Sequence, residues 1–138
     1  MTHRVGVIGA GLSGLMAART LQLAGLDVVV FDKGRRVGGR ANTREHSDYR
    51  FDHGAQFFTV RDEALGPHLQ GWLREGLVQE WGGRLVRIEG EAMSPAKKAT
   101  RYVGVPGMIN LALHLASTLD VQTLVRIKKV DASRSGWK

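Results

Sequence analysis

The sequence contains no cysteine and only three prolines in 138 residues. Without cysteine there can be no disulfide and no thiolate metal site. Long apolar runs are missing too: no stretch nears the roughly 18 residues that a membrane span needs. The first apolar segment is too short and begins too early for a secretory leader, so a cytoplasmic protein with no membrane partner is expected. Acidic residues are scarce beside basic ones, 13 against 20, giving a net charge of +7 and an isoelectric point near 10.4. Such a balance raises the question of nucleic acid. The positive residues are scattered, however, apart from Arg35, Arg36 and Arg40. No helix–turn–helix, zinc or RNA-recognition pattern occurs, so no nucleic-acid partner is expected. The five histidines, His3, His46, His53, His68 and His114, stand apart without metal-ligand spacing. No nucleophile can be paired with a base, and catalytic residues stay unknown at this level.

What is present is concentrated between Arg4 and Arg40. Arg4 to Ile8 (RVGVI) is short, apolar and β-branched, the pattern of a buried strand. It runs into Gly9-Ala10-Gly11-Leu12-Ser13-Gly14, which fits G-x-G-x-x-G. Leu12, Leu15, Met16, Arg19 and Leu23 then follow helical spacing, and Gly25 is a natural stop. Asp27 to Phe31 (DVVVF) is a second buried strand with Asp32 at its end, 18 positions beyond Gly14. That spacing is close to the roughly 20 residues that separate a dinucleotide-binding glycine turn from the acid holding a ribose. In such a unit Gly9 permits the tight turn, Gly11 lets backbone approach a pyrophosphate, and Gly14 lets helix pack on strand. The helix N-terminus, with Ser13 in its first turn, offers N–H groups and a positive dipole end to phosphates. An acid at position 32 disfavours a 2′-phosphate on the ribose, since two anions would face each other.

The next run is Lys33-Gly34-Arg35-Arg36-Val37-Gly38-Gly39-Arg40. Here the sequence resembles the amine oxidase and phytoene desaturase superfamily of flavoproteins, whose second motif is an acid, a short spacer and Gly-Gly-Arg. The resemblance implies a Rossmann-like α/β fold with FAD as cofactor. Gly38 and Gly39 would then give a close turn over the cofactor with Lys33 near it, and Arg40 would support its diphosphate through charge-assisted hydrogen bonds. Further on, Phe51-Asp52-His53-Gly54-Ala55-Gln56-Phe57-Phe58 and Arg101-Tyr102-Val103-Gly104-Val105-Pro106-Gly107-Met108 are similar to segments of the renalase family. By that resemblance Gly54, Ala55 and Gln56 pass beside the flavin ring, and Ile127, with Val125 as rival, sets backbone against the adenine. The absence of cysteine excludes a cysteinyl flavin link.

Between these motifs the pattern predicts a strand at Tyr49–Asp52 and a helix over Asp62–Glu75, unless Pro67 moves its start to Gly66. Val78–Trp81 and Arg84–Glu89 read as strands joined by a hairpin at Gly82-Gly83, followed by a loop from Gly90 to Ala99. A helix opened by Pro106 leads through Leu119 to a strand at Val121–Val125, and Asp131 to Gly136 reads as a turn. The expected organisation is an FAD-binding βαβ segment at 1–60, the inserted helix and strands of a substrate domain at 61–105, and a return to the first domain at 106–138. The resemblance covers only the first part of the family pattern, as a fragment or a shortened gene product would. It implies an FAD-dependent oxidoreductase that takes a hydride from a reduced nitrogen-containing substrate, either isomeric dihydro-NAD(P) or an amine, and passes it to oxygen. A non-catalytic nucleotide-binding remnant and a plain NAD-linked Rossmann domain remain the alternatives.

Overall fold

A computed structural model describes residues 4–95, 99–133 and 136–137. His3, Lys97, Lys98 and residues 134–135 of the expected Asp131–Gly136 turn lie outside these. The chain opens with β1 (Arg4–Ile8), α1 (Leu12–Leu23) and β2 (Asp27–Phe31), at the bounds the sequence pattern predicts. β1 and β2 pair in parallel, Arg4 opposite Asp27 through Ile8 opposite Phe31, so α1 is the crossover between them. The third strand of this sheet comes from far along the chain: β9 (Asp120–Gln122) pairs in parallel with the other edge of β2. β2 is thus the central strand, and Val28, Val29 and Val30 are all buried. β1 departs from the expected buried strand, with Ile8 61% exposed. An apolar run carries no record of how many neighbours it has; β1 has one partner strand among the described residues.

The core lies where α1 and α3 (Ile109–Ala116) pack together over the sheet. Leu15 and Ala18 of α1 meet Leu111, Ala112 and Leu115 of α3, with Val28 and Val30 beneath. Arg19 of α1 donates to the His114 carbonyl at 3.2 Å and so ties the two helices along their polar edge. α2 (Gly66–Arg74) adds Leu69 and Trp72 to the same core. It begins at Gly66 with Pro67 in its first turn, after a short 3-10 turn at Glu63–Leu65. Proline is tolerated there because its missing N–H has no intrahelical partner to lose.

The remaining strands form small antiparallel pairs. β3 (Thr43–His46) and β4 (Tyr49–Asp52) are a hairpin turning at Ser47 and Asp48. β5 (Val78–Glu80) pairs with β8 (Tyr102–Gly104), and β6 (Val86–Glu89) pairs with β7 (Ala92–Pro95). The expected hairpin at Gly82-Gly83 is therefore not formed. β5 takes a distant partner, and the hairpin turn falls at Gly90, whose φ of 61° suits a tight reversal. The expected strand at Val121–Val125 ends early, because Leu124 sits at φ 61° and breaks the extended run. The final pair is β10 (Ala132–Ser133) with β11 (Gly136–Trp137).

Candidate dinucleotide site

Two glycine-rich turns meet at the ends of β1 and β2. Gly9 has φ 106°, a conformation open chiefly to glycine, and its N–H donates to the Phe31 carbonyl at 2.7 Å. The chain thereby leaves β1 over the end of β2. A Cβ on Gly14 would stand 2.0 Å from the Gly9 carbonyl oxygen, so only glycine lets α1 close down on this turn. Gly11 caps α1, and the space where its Cβ would be is open. The helix starts without a side-chain cap and without an acidic residue in its first turn. Its leading N–H groups and positive dipole end are left for an anion, with Ser13 exposed beside them.

The second turn folds back onto the first. Gly38 N–H donates to the Ala10 carbonyl at 2.7 Å, and a Cβ on Gly39 would come 3.5 Å from Gly11 Cα. Asp32 links the two. Its Oδ2 accepts from Ala10 N–H and its Oδ1 from Gly34 N–H, each at 2.6 Å. Its own N–H donates to the Gln122 carbonyl and its carbonyl accepts from Val125 N–H, both at 2.9 Å. The carboxylate is held in place yet keeps lone pairs on both oxygens, enough to accept from vicinal hydroxyls. Beside it lies a cavity of about 590 Å³ lined by Lys33, Arg35, Arg36, Arg44 and His53 among others. Its basic side chains outnumber its acids, Asp32 and Glu45, and the charge suits a diphosphate.

The third stretch is brought to the second turn by main-chain contact. Ala55 N–H donates to the Arg40 carbonyl at 2.8 Å, and a Cβ on Gly54 would lie 2.0 Å from that same oxygen. Gly54, Ala55 and Gln56 thus run along the Gly39-Arg40 turn, with the Arg40 and Gln56 side chains exposed. Ile127 is not drawn in this way. It lies outside regular structure, 36% exposed, and Val125 is the residue bonded to Asp32.

Sequence reasoning missed two residues. Asp52 Oδ1 accepts from Met108 N–H at 3.0 Å and from the Thr43 hydroxyl at 2.5 Å, while Thr43 Oγ1 accepts from Ile109 N–H at 3.2 Å. Together they cap the start of α3, which has no capping side chain of its own. Thr43 is 4% exposed and Asp52 leads directly into His53-Gly54, so this cap anchors the third stretch. The available signal was indirect: a helix opening at Gly107-Met108 with no Ser, Thr, Asp or Asn must find its cap elsewhere.

Comparison with known proteins agrees with this geometry. Protoporphyrinogen oxidase 2 (chloroplastic/mitochondrial) of Arabidopsis thaliana is 31% identical over 130 residues, covering 90% of this chain and 23% of that protein. 1-Hydroxycarotenoid 3,4-desaturase of Flavobacterium sp. is 41% identical over 63 residues, 46% of this chain and 12% of that one. The chain therefore spans less than a quarter of the length of either relative. Among solved structures, a protein assigned as an FAD-containing monooxygenase from Photorhabdus luminescens superposes with a TM-score of 0.60 at 17% identity. That alignment covers 98% of this chain and 34% of the other, and it speaks for the fold alone. The likeness is to the FAD- and NAD(P)-binding, amine-oxidase-like oxidoreductases as a group. Residues 7–75 match the NAD(P)-binding Rossmann-like domain, half of the 138-residue chain, and the chain belongs to that family.

Proposed function

We propose that this chain is the FAD-binding part of an oxidoreductase that removes a hydride from a reduced nitrogen-containing substrate and delivers it to oxygen. The observation that carries the reading is Asp32, clamped between two touching glycine turns with Gly39-Arg40 and Gly54-Ala55 packed alongside. These residues fit FAD: the open space at Gly11 admits a pyrophosphate, the Asp32 lone pairs suit a ribose, and the basic loop from Lys33 to Arg40 balances two phosphates. A bound flavin would supply the two-electron chemistry. The protein's own part is to orient: Gly54 to Gln56 keep backbone close to the cofactor turn, and the Asp52 cap holds them there.

Isomeric dihydro-NAD(P) is the substrate we favour, on the likeness of Phe51–Phe58 and Arg101–Met108 to the renalase family, with an amine as the rival. The test begins with the visible spectrum of the purified chain, with and without FAD. Flavin bands that survive desalting are expected, and isomeric dihydronicotinamides should then bleach them. Bands that no dihydronicotinamide bleaches would remove the substrate but keep the cofactor. A colourless protein that binds NADH instead would replace the reading with a nicotinamide-linked one.

A further inference from the structure

The strands beyond the dinucleotide site carry a second cluster. β8 lies between β5 and the chain at Phe58. The β5 pairing continues through Trp81 N–H to the Arg101 carbonyl at 2.7 Å, and Phe58 and Tyr102 exchange both main-chain bonds at 2.9 Å. Side chains alternate across such a sheet. Phe58 and Tyr102, with ring centroids 5.7 Å apart, and the buried Val78 face the core. Their neighbours Phe57, Trp81 and Arg101 therefore gather on the opposite face. Phe57 and Trp81 stack at 5.8 Å with an interplanar angle of 24°, and the Arg101 guanidinium carbon lies 5.0 Å over the Phe57 ring. Gly83 leaves room for this arrangement, since a Cβ there would meet the Trp81 indole at 3.1 Å.

This face is open and its charge is uncompensated. Phe57 is 38% and Trp81 42% exposed. Among the described residues no acid forms an ion pair with Arg101, and its buried Nε has no hydrogen-bond partner. A guanidinium laid over an aromatic ring is fixed in orientation, and stacking leaves in-plane N–H donors for an oxyanion. Phe57 is two residues beyond Ala55, at most about 7 Å of extended chain, so the cluster stands beside the segment that runs along the Arg40 turn.

We infer that Arg101, Phe57 and Trp81 form a substrate subsite for a planar ring carrying an anionic group, a carboxylate or a phosphate, and that Arg101 selects against cationic amines. The inference rests on the oxidoreductase reading above and deepens it: of the two substrates weighed there, the dihydronicotinamide nucleotide has this chemistry and the amine does not. The ring stacks on the exposed indole, as aromatic faces prefer, and the anion meets the guanidinium.

Tryptophan fluorescence quenching tests it on the chain as it stands, with four probes at constant ionic strength. They are reduced nicotinamide mononucleotide, benzoate, benzylamine and inorganic phosphate. Saturable binding is expected for the nucleotide, the benzoate or both; the first alone identifies a phosphate site and the second alone a carboxylate site. Arg101→Met should weaken that binding about tenfold or more, with Arg101→Lys intermediate. Circular dichroism tests the fold of each variant, and if Arg101→Met unfolds, Arg101→Lys alone decides. The inference is overturned if neither anion saturates, if benzylamine binds as tightly as benzoate, if inorganic phosphate matches the nucleotide, or if neither substitution weakens the anion. FAD titration of the same samples separates the two readings. Flavin bands retained in every variant without anion binding would sink the subsite alone. Anion binding without flavin bands would sink the cofactor reading alone.

Discussion

The turns around Asp32 and the β6–β7 hairpin are both built on glycine and short strands, yet they are held in opposite ways. Around Asp32, backbone meets backbone. Gly14 sits on the Gly9 carbonyl and Gly54 on the Arg40 carbonyl, so an added methyl would strike main chain that cannot move aside. In the hairpin every residue of both strands is exposed, with Ile88 at 61% and Met93 at 70%, and the space around Gly90 is open. Its pairing fixes register without fixing side-chain identity. Sequence is demanding where main chain packs on main chain, and permissive where strands are joined only by their ladder.

Three substitutions would break or sharpen that contrast. Gly14→Ala should have the largest effect, about 3 kcal/mol or more in urea denaturation, because the 2.0 Å approach forces α1 off its turn. A loss under 1 kcal/mol would mean the turn yields more readily than its contacts imply. Asp52→Ala comes next, at about 1–3 kcal/mol, since it leaves the Met108 N–H and the Thr43 hydroxyl without their acceptor. FAD affinity should fall with it, and an unchanged affinity would show that the Gly54 stretch keeps its place without the cap. Ile88→Ala should be the smallest, within about 0.5 kcal/mol, as expected for an exposed position. A larger loss would show that the hairpin face is covered in solution.

The same contrast explains what could be read in advance. The bounds of β1, α1 and β2 were legible, because two apolar β-branched runs separated by a glycine turn and a helical stretch leave a local mark, whereas the burial of β1 was not. Asp32 was legible by its distance from Gly14. The Gly82-Gly83 hairpin was misread, since glycine pairs mark many turns and nothing local told that β5 would choose β8, or that Gly83 makes room for the Trp81 ring. That β1 has one partner strand among the described residues was hidden for a related reason: a strand's neighbours come from elsewhere in the chain. Asp52 and Thr43 were missed as capping residues because they and the helix they cap are 56 and 66 positions apart.

That separation has a consequence of its own. Asp52 and Met108 pin the two ends of everything between them, and a Cβ on Gly107 would come within 2.7 Å of Thr43 Oγ1, so the base is tight. Closing a longer loop costs only slightly more than closing a shorter one, since the entropy lost grows with the logarithm of length. Residues 53–107 therefore leave and return at a fixed clasp, while Leu69, Trp72 and Val78 within them belong to the core shared with α1 and α3. Segments of other lengths could be spliced in place of the exposed β6–β7 hairpin, which adds no described residue to that core, while the clasp and the dinucleotide turns stay as they are.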